Sequence, residues 1–557
     1  MTADIVIRGG TLVDGTGAPS CTSDIALTDG VVSDIGEGLS GKRVLEADGN
    51  IVSPGFIDIH THYDAQVFWD PSLTPSCWHG VTSVVAGNCG FSIAPVRPEH
   101  RELLVRTLQH VEDMAADTLF EGVPWTDFET FPQYFDAIEK RGTLLNYACY
   151  VGHTAVRLYV MGEAGYEKAA TDDDVRAMQR VIAEAMAAGA AGFATSASPT
   201  HNGDKGRPVP SRIADLDEVR ALVAPLHDTH KGVVALLPGE KVTHDDVFDI
   251  QRAAGRPVTW TALLTVKGYP WHERIMAANI AARAEGSEVW PQVSCRPLTF
   301  QMNLREPFTF NMRPAFQELM DRPLDERVAA YRNSEWRARA WDELSGRTGK
   351  RSLPMNFDSL LVAESSTHPE LMGRNVVAVA QERNCTPFDF MLALSLAENL
   401  DTRFTSVLAN NDPEAIAWLL PQDTVLLGLA DSGAHVSQLC DACFATDLLG
   451  NWVRDKEVMP LPQAIHKLTG EPAGVFGLKD RGTIEVGKAA DVVVFDYDTI
   501  APGPLRRIRD FPADGERLVA DKPVGMRHVV VNGTVIREDE APVADALAQR
   551  PGKLLRS

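Results

Sequence analysis

The stretch GFIDIHTHYD places His60 and His62 one residue apart, with carboxylates close by at Asp58 and Asp64. In an extended strand, side chains two residues apart share a face, so both imidazoles can reach one ion. Two surface or core histidines would show the same spacing, so the pair alone does not define a site. Residues of matching chemistry recur downstream: Cys89 in GNCG, His153 in YVGH, and Asp431 and His435 in GLADSGAH. Neutral imidazole, thiolate and carboxylate are all good zinc ligands.

Such residues act together only if the chain brings them to one place. Eight short apolar runs alternate with helical segments: VSPGFIDIH, TSVVAGNC, LLNYACYVGH, AAGFATS, GVVALLPG, PVTWTALL, VWPQVSCR and TVLLGLADSGAH. Buried parallel strands read as such runs, and eight of them suit a closed (β/α)₈ barrel. One connecting helix is sharply marked, with Thr171 or Asp172 as its cap and Gly189 as its stop. In a barrel of this kind functional side chains gather at the carboxyl ends of strands, which is where His60, His62, Cys89, His153, Asp431 and His435 fall.

The two chain ends differ from this pattern. They carry short β-rich runs with turn signals at Asp29-Gly30 and Asn532-Gly533. Each is too thin to bury an apolar face alone, so they are expected to pair. The predicted fold class is therefore α/β: a (β/α)₈ TIM-like barrel over 55–472, a small β-sandwich domain from 1–54 and 473–545, and a helical insertion at about 300–420 over the barrel mouth.

Composition narrows the partners. With 53 basic and 76 acidic residues the formal charge is −23, which opposes binding to nucleic acid or anionic membrane. No apolar run approaches the ~20 residues of a membrane span. The N-terminal stretch has no secretory pattern, and eight scattered cysteines suit a reducing cytoplasm. Cys440 and Cys443 form one C-x-x-C without a second pair, which argues against a zinc ribbon. No heptad marks an assembly interface; a homo-oligomer is left open.

SPGFIDIHTH after a β-rich start, with GLADSGAH far downstream, resembles the amidohydrolase superfamily of metal-dependent hydrolases. Within it HTHYDAQ, GVTSVVAGNCGFSIAP, YVGHTAVR and GKAADVVVFD look like the N-acyl-D-amino-acid deacylase (D-aminoacylase) branch. By position the resemblance assigns metal ligation to His60, His62, Cys89 and Asp431, with Asp431 also the expected general base. The cysteine replaces a carbamylated lysine of strand four, and AAGFATS indeed lacks lysine. The branch also carries metal-binding histidines at the ends of strands five and six, which this sequence does not show; His244 and His272 lie several residues beyond. The expectation is one Zn²⁺ per chain, activating water for attack on an amide carbonyl, with His153 as a second catalytic group that polarises the carbonyl oxygen.

The substrate expected from the resemblance is an N-acyl amino acid, so a small-molecule amide bearing a carboxylate. Arg296 and then Lys267 are candidates to bind that carboxylate. His201 could approach the mouth, and Tyr63 could line an apolar pocket. The alternatives are hydrolysis of a cyclic amide, imide or lactone, and a catalytically weak binding protein of the same fold.

Overall fold

The computed structural model describes residues 2–305, 307–311, 313–320, 322–346, 357–539 and 541–557. Eight parallel strand positions close a barrel. In order they are Phe56–Asp58, Val81–Ala86, Asn146–Cys149 continued by Val151–Gly152, Gly192–Ser196, Val233–Leu237, Val258–Trp260, Val289–Val293 and Leu426–Leu427. The seam between first and last is closed beyond the regular strands, by a parallel bridge of Thr61 with Ser432. All eight runs picked out by hydropathy supply these strands.

Alternation along the strands divides two cores. Ile57, Ile59, Val85, Ala148, Tyr150, Ala194, Val233, Ala235 and Leu426 form one cluster with Ala473, Val475 and Phe476, whereas Val84, Tyr147, Phe193, Val234 and Leu236 belong to the larger cluster shared with the surrounding helices. The helix Gly470–Phe476 thus plugs the lumen, and the barrel is a packed core rather than a pore. The C-terminal tail bridges in parallel to the edge of strand three: Tyr147 N–H bonds to Lys553 O at 2.9 Å, and Leu555 N–H bonds back to Tyr147 O at 2.7 Å.

The helix Asp172–Ala188 starts with a reciprocal capping box between Thr171 and Asp174 and ends at Gly189 with φ +98°. A cap of this kind contributes about 1 kcal/mol.

The chain ends build a two-sheet sandwich. A four-stranded sheet packs against a seven-stranded one in which Ile51–Pro54 pairs antiparallel with Val492–Phe495. Both sequence-marked turns are two-residue hairpin loops, with φ of +51° and +78° at Asp29-Gly30 and +45° and +78° at Asn532-Gly533. Positive φ at both positions matches the right-handed twist of the flanking strands. The same C-terminal region sends a hairpin, Leu505–Phe511 with Gly515–Ala520, onto the barrel mouth. There Leu518 N–H bonds to Val436 O at 2.6 Å and Arg507 donates to Ser437 O at 2.8 Å, pinning the loop that follows strand eight.

The expected helical insertion is a mixed unit. Among the described residues it holds a three-stranded antiparallel sheet, Leu298–Met302, Arg403–Ala409 and Leu361–Glu364, beside five helices, and has its own apolar core around Phe316, Trp336 and Phe388. The sheet escaped sequence reading because its strands are far apart in the chain and no hairpin turn joins them. Positions 347–356 of this stretch lie outside the described residues. Among the described residues, no helix is long and apolar enough to cross a membrane.

Candidate metal centre

His60 and His62 converge, though by a different route from simple strand pleating. The regular strand stops at Asp58, whose carboxylate accepts the His60 N–H at 3.1 Å and the Ser432 hydroxyl at 3.3 Å. The chain then crosses to strand eight, with His62 N–H bonded to Ser432 O at 2.7 Å. The two imidazole centroids end 5.5 Å apart.

Cys89 is delivered by the loop after strand two. The Asn88 amide donates to the carbonyls of Ile59, Thr61 and Val85, stitching that loop to strand one. Gly87 has φ +79°, and a Cβ there would sit 2.5 Å from Tyr150 O, so glycine is required. The Asp64 carboxylate accepts the Gly87 N–H at 3.0 Å and the Cys149 thiol at 3.4 Å; burial pushes its carboxyl up to about 7. Cys89 itself is left-handed at φ +56° and Asp431 at φ +52°, a conformation costly for non-glycine residues and one that clusters at functional sites. Gly433 permits the strand-eight turn, since a Cβ there would lie 2.7 Å from His62 O.

The result is a compact donor set. Donor atoms of His60, His62 and Cys89 lie within 4.8 Å of one another, and Asp431 Oδ1 stands 3.2 Å from each Nε2 of His60 and His62. Among the described residues this is the one group of three or more such side chains that converges. The histidines and Cys89 are buried, while Asp431 keeps 15% of its side chain accessible. Burial, with Asp431 and Glu112 nearby, pushes the Cys89 thiol well above its ordinary range. Against the cost of burial, hydrogen bonds from His60 and His62 hold Asp431 well below the usual carboxylate range. A buried thiol and carboxylate beside two imidazoles call for a cation, and the N, S and O donors fit zinc.

Two partners of the imidazoles had no sequence signal. His60 Nδ1 meets Gln292 Oε1 at 2.8 Å, and the Gln292 amide donates to Thr259 Oγ1 at 3.1 Å. Gln292 sits within strand seven, and the carboxylate of Glu112, at a helix end, lies 3.4 Å from His62 Nδ1. Neither belongs to a motif.

His201 does face this centre. Its Nδ1 lies 2.8 Å from Ser196 Oγ at the end of strand four, and its ring packs 5.0 Å from Phe91, two residues past Cys89. Burial pushes its pKa down to about 3, with Asp431 and His62 within electrostatic reach. His435 packs edge-on to Phe300, with Nε2 4.0 Å from Asp431 Oδ2.

Four expected site residues are placed elsewhere. His153 begins the helix His153–Met161 and is fully buried, with Nδ1 2.7 Å from Thr195 Oγ1 and Nε2 3.0 Å from Glu218 Oε1. Both ring nitrogens are used within the fold, leaving none for a substrate. Arg296 is held by Asp441 at 2.6 Å and Asp447 at 3.3 Å, so its charge is already matched by two carboxylates. Tyr63 is fully buried with its hydroxyl 2.7 Å from Ser76 Oγ, a core residue rather than a pocket wall. Lys267 is exposed on the loop after strand six.

The His153 cluster carries a stability prediction. Burial raises the Glu218 carboxyl, but the His153 hydrogen bond and the Arg157 charge outweigh it and hold the pKa at about 2, below the ordinary 4.5. A folded-state pKa below the unfolded one stabilises the fold above the unfolded value, and the contribution drains away as pH falls from 4.5 toward 2. Glu218→Gln should therefore cost up to about 3 kcal/mol at neutral pH and flatten the acid limb of a Tm-against-pH curve. An acid limb identical to that of the native sequence would contradict this assignment.

A closed eight-stranded barrel with imidazole, thiolate and carboxylate donors at the carboxyl ends of its strands defines a metal-dependent hydrolase. The chain belongs to the amidohydrolase family, whose model matches residues 43–537, and it acts on carbon–nitrogen bonds of non-peptide amides. It is 27% identical to N-acyl-D-glutamate deacylase of Alcaligenes xylosoxydans xylosoxydans over 99% of this chain and 96% of that one. It is 28% identical to D-aminoacylase of the same organism, over 97% and 95% of the two chains. A crystal structure of N-acyl-D-glutamate deacylase from Bordetella bronchiseptica, complexed with zinc and a phosphonate mimic of the tetrahedral intermediate, superposes with a TM-score of 0.69 at 25% identity, covering all of both chains. A D-aminoacylase described as having a binuclear metal centre gives the same TM-score at 26% identity over both full chains.

Proposed function

We propose that this chain removes the acyl group from N-acyl-D-amino acids, using one zinc ion per chain held by His60 Nε2, His62 Nε2, Cys89 Sγ and Asp431 Oδ1. The convergence of these four donors at the barrel mouth carries the reading, and similarity to the two deacylases supports the substrate class. A divalent ion there supplies Lewis acidity, polarising the amide carbonyl and making water acidic enough to lose a proton near neutral pH.

The protein's own residues supply the proton traffic. Asp431 Oδ1 is turned to the imidazoles, so Oδ2 takes the proton of the attacking water and passes it to the amide nitrogen as the C–N bond breaks. The products are a carboxylate and a free amine. Ser196 Oγ accepts the Ser198 N–H at 3.2 Å and lies 2.8 Å from His201 Nδ1, and we assign its hydroxyl as the donor to that nitrogen. His201 therefore carries its proton on Nε2 and donates it as a hydrogen bond to the substrate carbonyl oxygen.

With Arg296 neutralised, Arg212 is the better anchor for the substrate carboxylate. It is half-buried, it donates to His201 O at 2.9 Å and Asn202 Oδ1 at 2.7 Å, and among the described residues it has no ion pair with a carboxylate. An unpaired, partly desolvated guanidinium beside the metal-facing His201 suits an anion. The eight free cysteines support a reducing, cytoplasmic setting.

The test is hydrolysis of N-acetyl-D- and L-amino acids, their carboxamides and a hydantoin by zinc-loaded protein. The D-amino acids should be preferred, and Arg212→Ala should raise KM about tenfold or more for carboxylate substrates while leaving carboxamides unchanged. Turnover of hydantoin with none of the N-acyl amino acids would reject the substrate class.

A further inference from the structure

The helix Arg101–Glu112 ends on two acidic residues, Glu112 inside its last turn and Asp113 beyond it at φ +53°. Carboxylates are disfavoured there, because the last carbonyls of a helix carry partial negative charge. Each is nevertheless aimed at the metal centre's framework. The Asp113 carboxylate accepts the Ser437 N–H at 3.0 Å and the Ser437 hydroxyl at 2.6 Å, two residues past His435. Glu112 is 3% exposed and, among the described residues, has no arginine or lysine partner; its Oε1 lies 3.4 Å from His62 Nδ1. That contact lacks hydrogen-bond alignment, and His62 Nδ1 is otherwise a buried nitrogen without a partner.

We infer that Glu112 is the carboxylate that orients His62 for metal binding, an inference that rests on the zinc reading above. Accepting the proton of Nδ1, Glu112 fixes the tautomer in which Nε2 turns its lone pair toward the ion and makes that nitrogen more basic. Gln292 does the corresponding work for His60 through a neutral amide. The two imidazoles are therefore unequally supported, one by a carboxylate and one by an amide. Asp113 completes the device: one helix end holds both His62 and the segment after strand eight, and so sets their separation. Glu112 is a positioning residue, since it reaches the ion only through His62.

The measurement is the zinc dissociation constant of the apo-protein, by competition with a chromophoric chelator, for Glu112→Gln and Glu112→Ala. Loss of the carboxylate should weaken zinc about 10- to 100-fold in Glu112→Ala, with a smaller loss in Glu112→Gln, whose amide oxygen still accepts from Nδ1. The cobalt-substituted visible spectrum should shift in both. Should Glu112→Ala fail to fold, Glu112→Leu, similar in size and without an acceptor, takes its place with the same expected loss. Zinc affinity within about threefold of the native protein in the folded variants, with an unchanged cobalt spectrum, overturns the inference. Native protein that takes up no zinc would instead overturn the zinc reading, and no substrate enters either result.

Discussion

Asp431→Asn is expected to leave a folded protein whose kcat is lower by about 10³–10⁴-fold. The substitution removes the carboxylate's ability to take a proton while keeping its shape. It also suits the backbone: Asp431 sits at φ +52°, a region that asparagine enters more readily than almost any other non-glycine residue. The chemical change is thus isolated from strain, which Asp431→Ala would not achieve. His60, His62 and Cys89 remain to hold the ion, so zinc analysis alongside the kinetics separates loss of the base from loss of the metal. A variant that keeps zinc and retains kcat within tenfold would exclude Asp431 as the base.

Replacing Cys89 should have the second-largest effect, and through a different cause. Its sulfur lies 3.7 Å from His60 Nε2 and supplies the soft donor of the set. Cys89→Ala should drop zinc in the purified protein from about one ion per chain to a small fraction of that, with activity falling in proportion. Activity that returns in excess zinc would show weakened affinity rather than lost chemistry. The native stoichiometry is itself informative. Strand five ends at Leu237 and strand six at Trp260, neither of which offers a donor where the D-aminoacylase branch carries histidines. Two full anomalous peaks at the zinc edge would refute a single site.

The barrel was legible in the sequence because its strands are buried on both faces, which produces unbroken apolar runs. The convergence of His60, His62, Cys89 and Asp431 was legible because they stand at the ends of those runs. What the sequence could not convey is direction. His153 ends strand three just as His62 follows strand one, yet it turns toward Thr195 and Glu218. Arg296 follows strand seven as a substrate anchor would, but two carboxylates contributed from about 150 residues away claim it. Tyr63 adjoins His62 and is buried in the core all the same. Conversely, Glu112 and Gln292 act on the imidazoles from elements that no local pattern ties to the site. Position along a strand follows from hydropathy, whereas pairing of buried polar groups is settled by packing between distant segments.

The sandwich joined from both chain ends has a consequence for biosynthesis. Ile51–Pro54 is flanked on one side by Thr11–Leu12, but its other edge stays bare until Val492–Phe495 has been made. Those partners are about 440 residues apart, so at roughly 5–20 residues per second the ribosome leaves that edge open for about 20–90 s. An apolar strand edge exposed for so long can template aggregation. The nascent chain therefore passes through a window in which a chaperone, or low temperature during expression, decides how much of it reaches the native state.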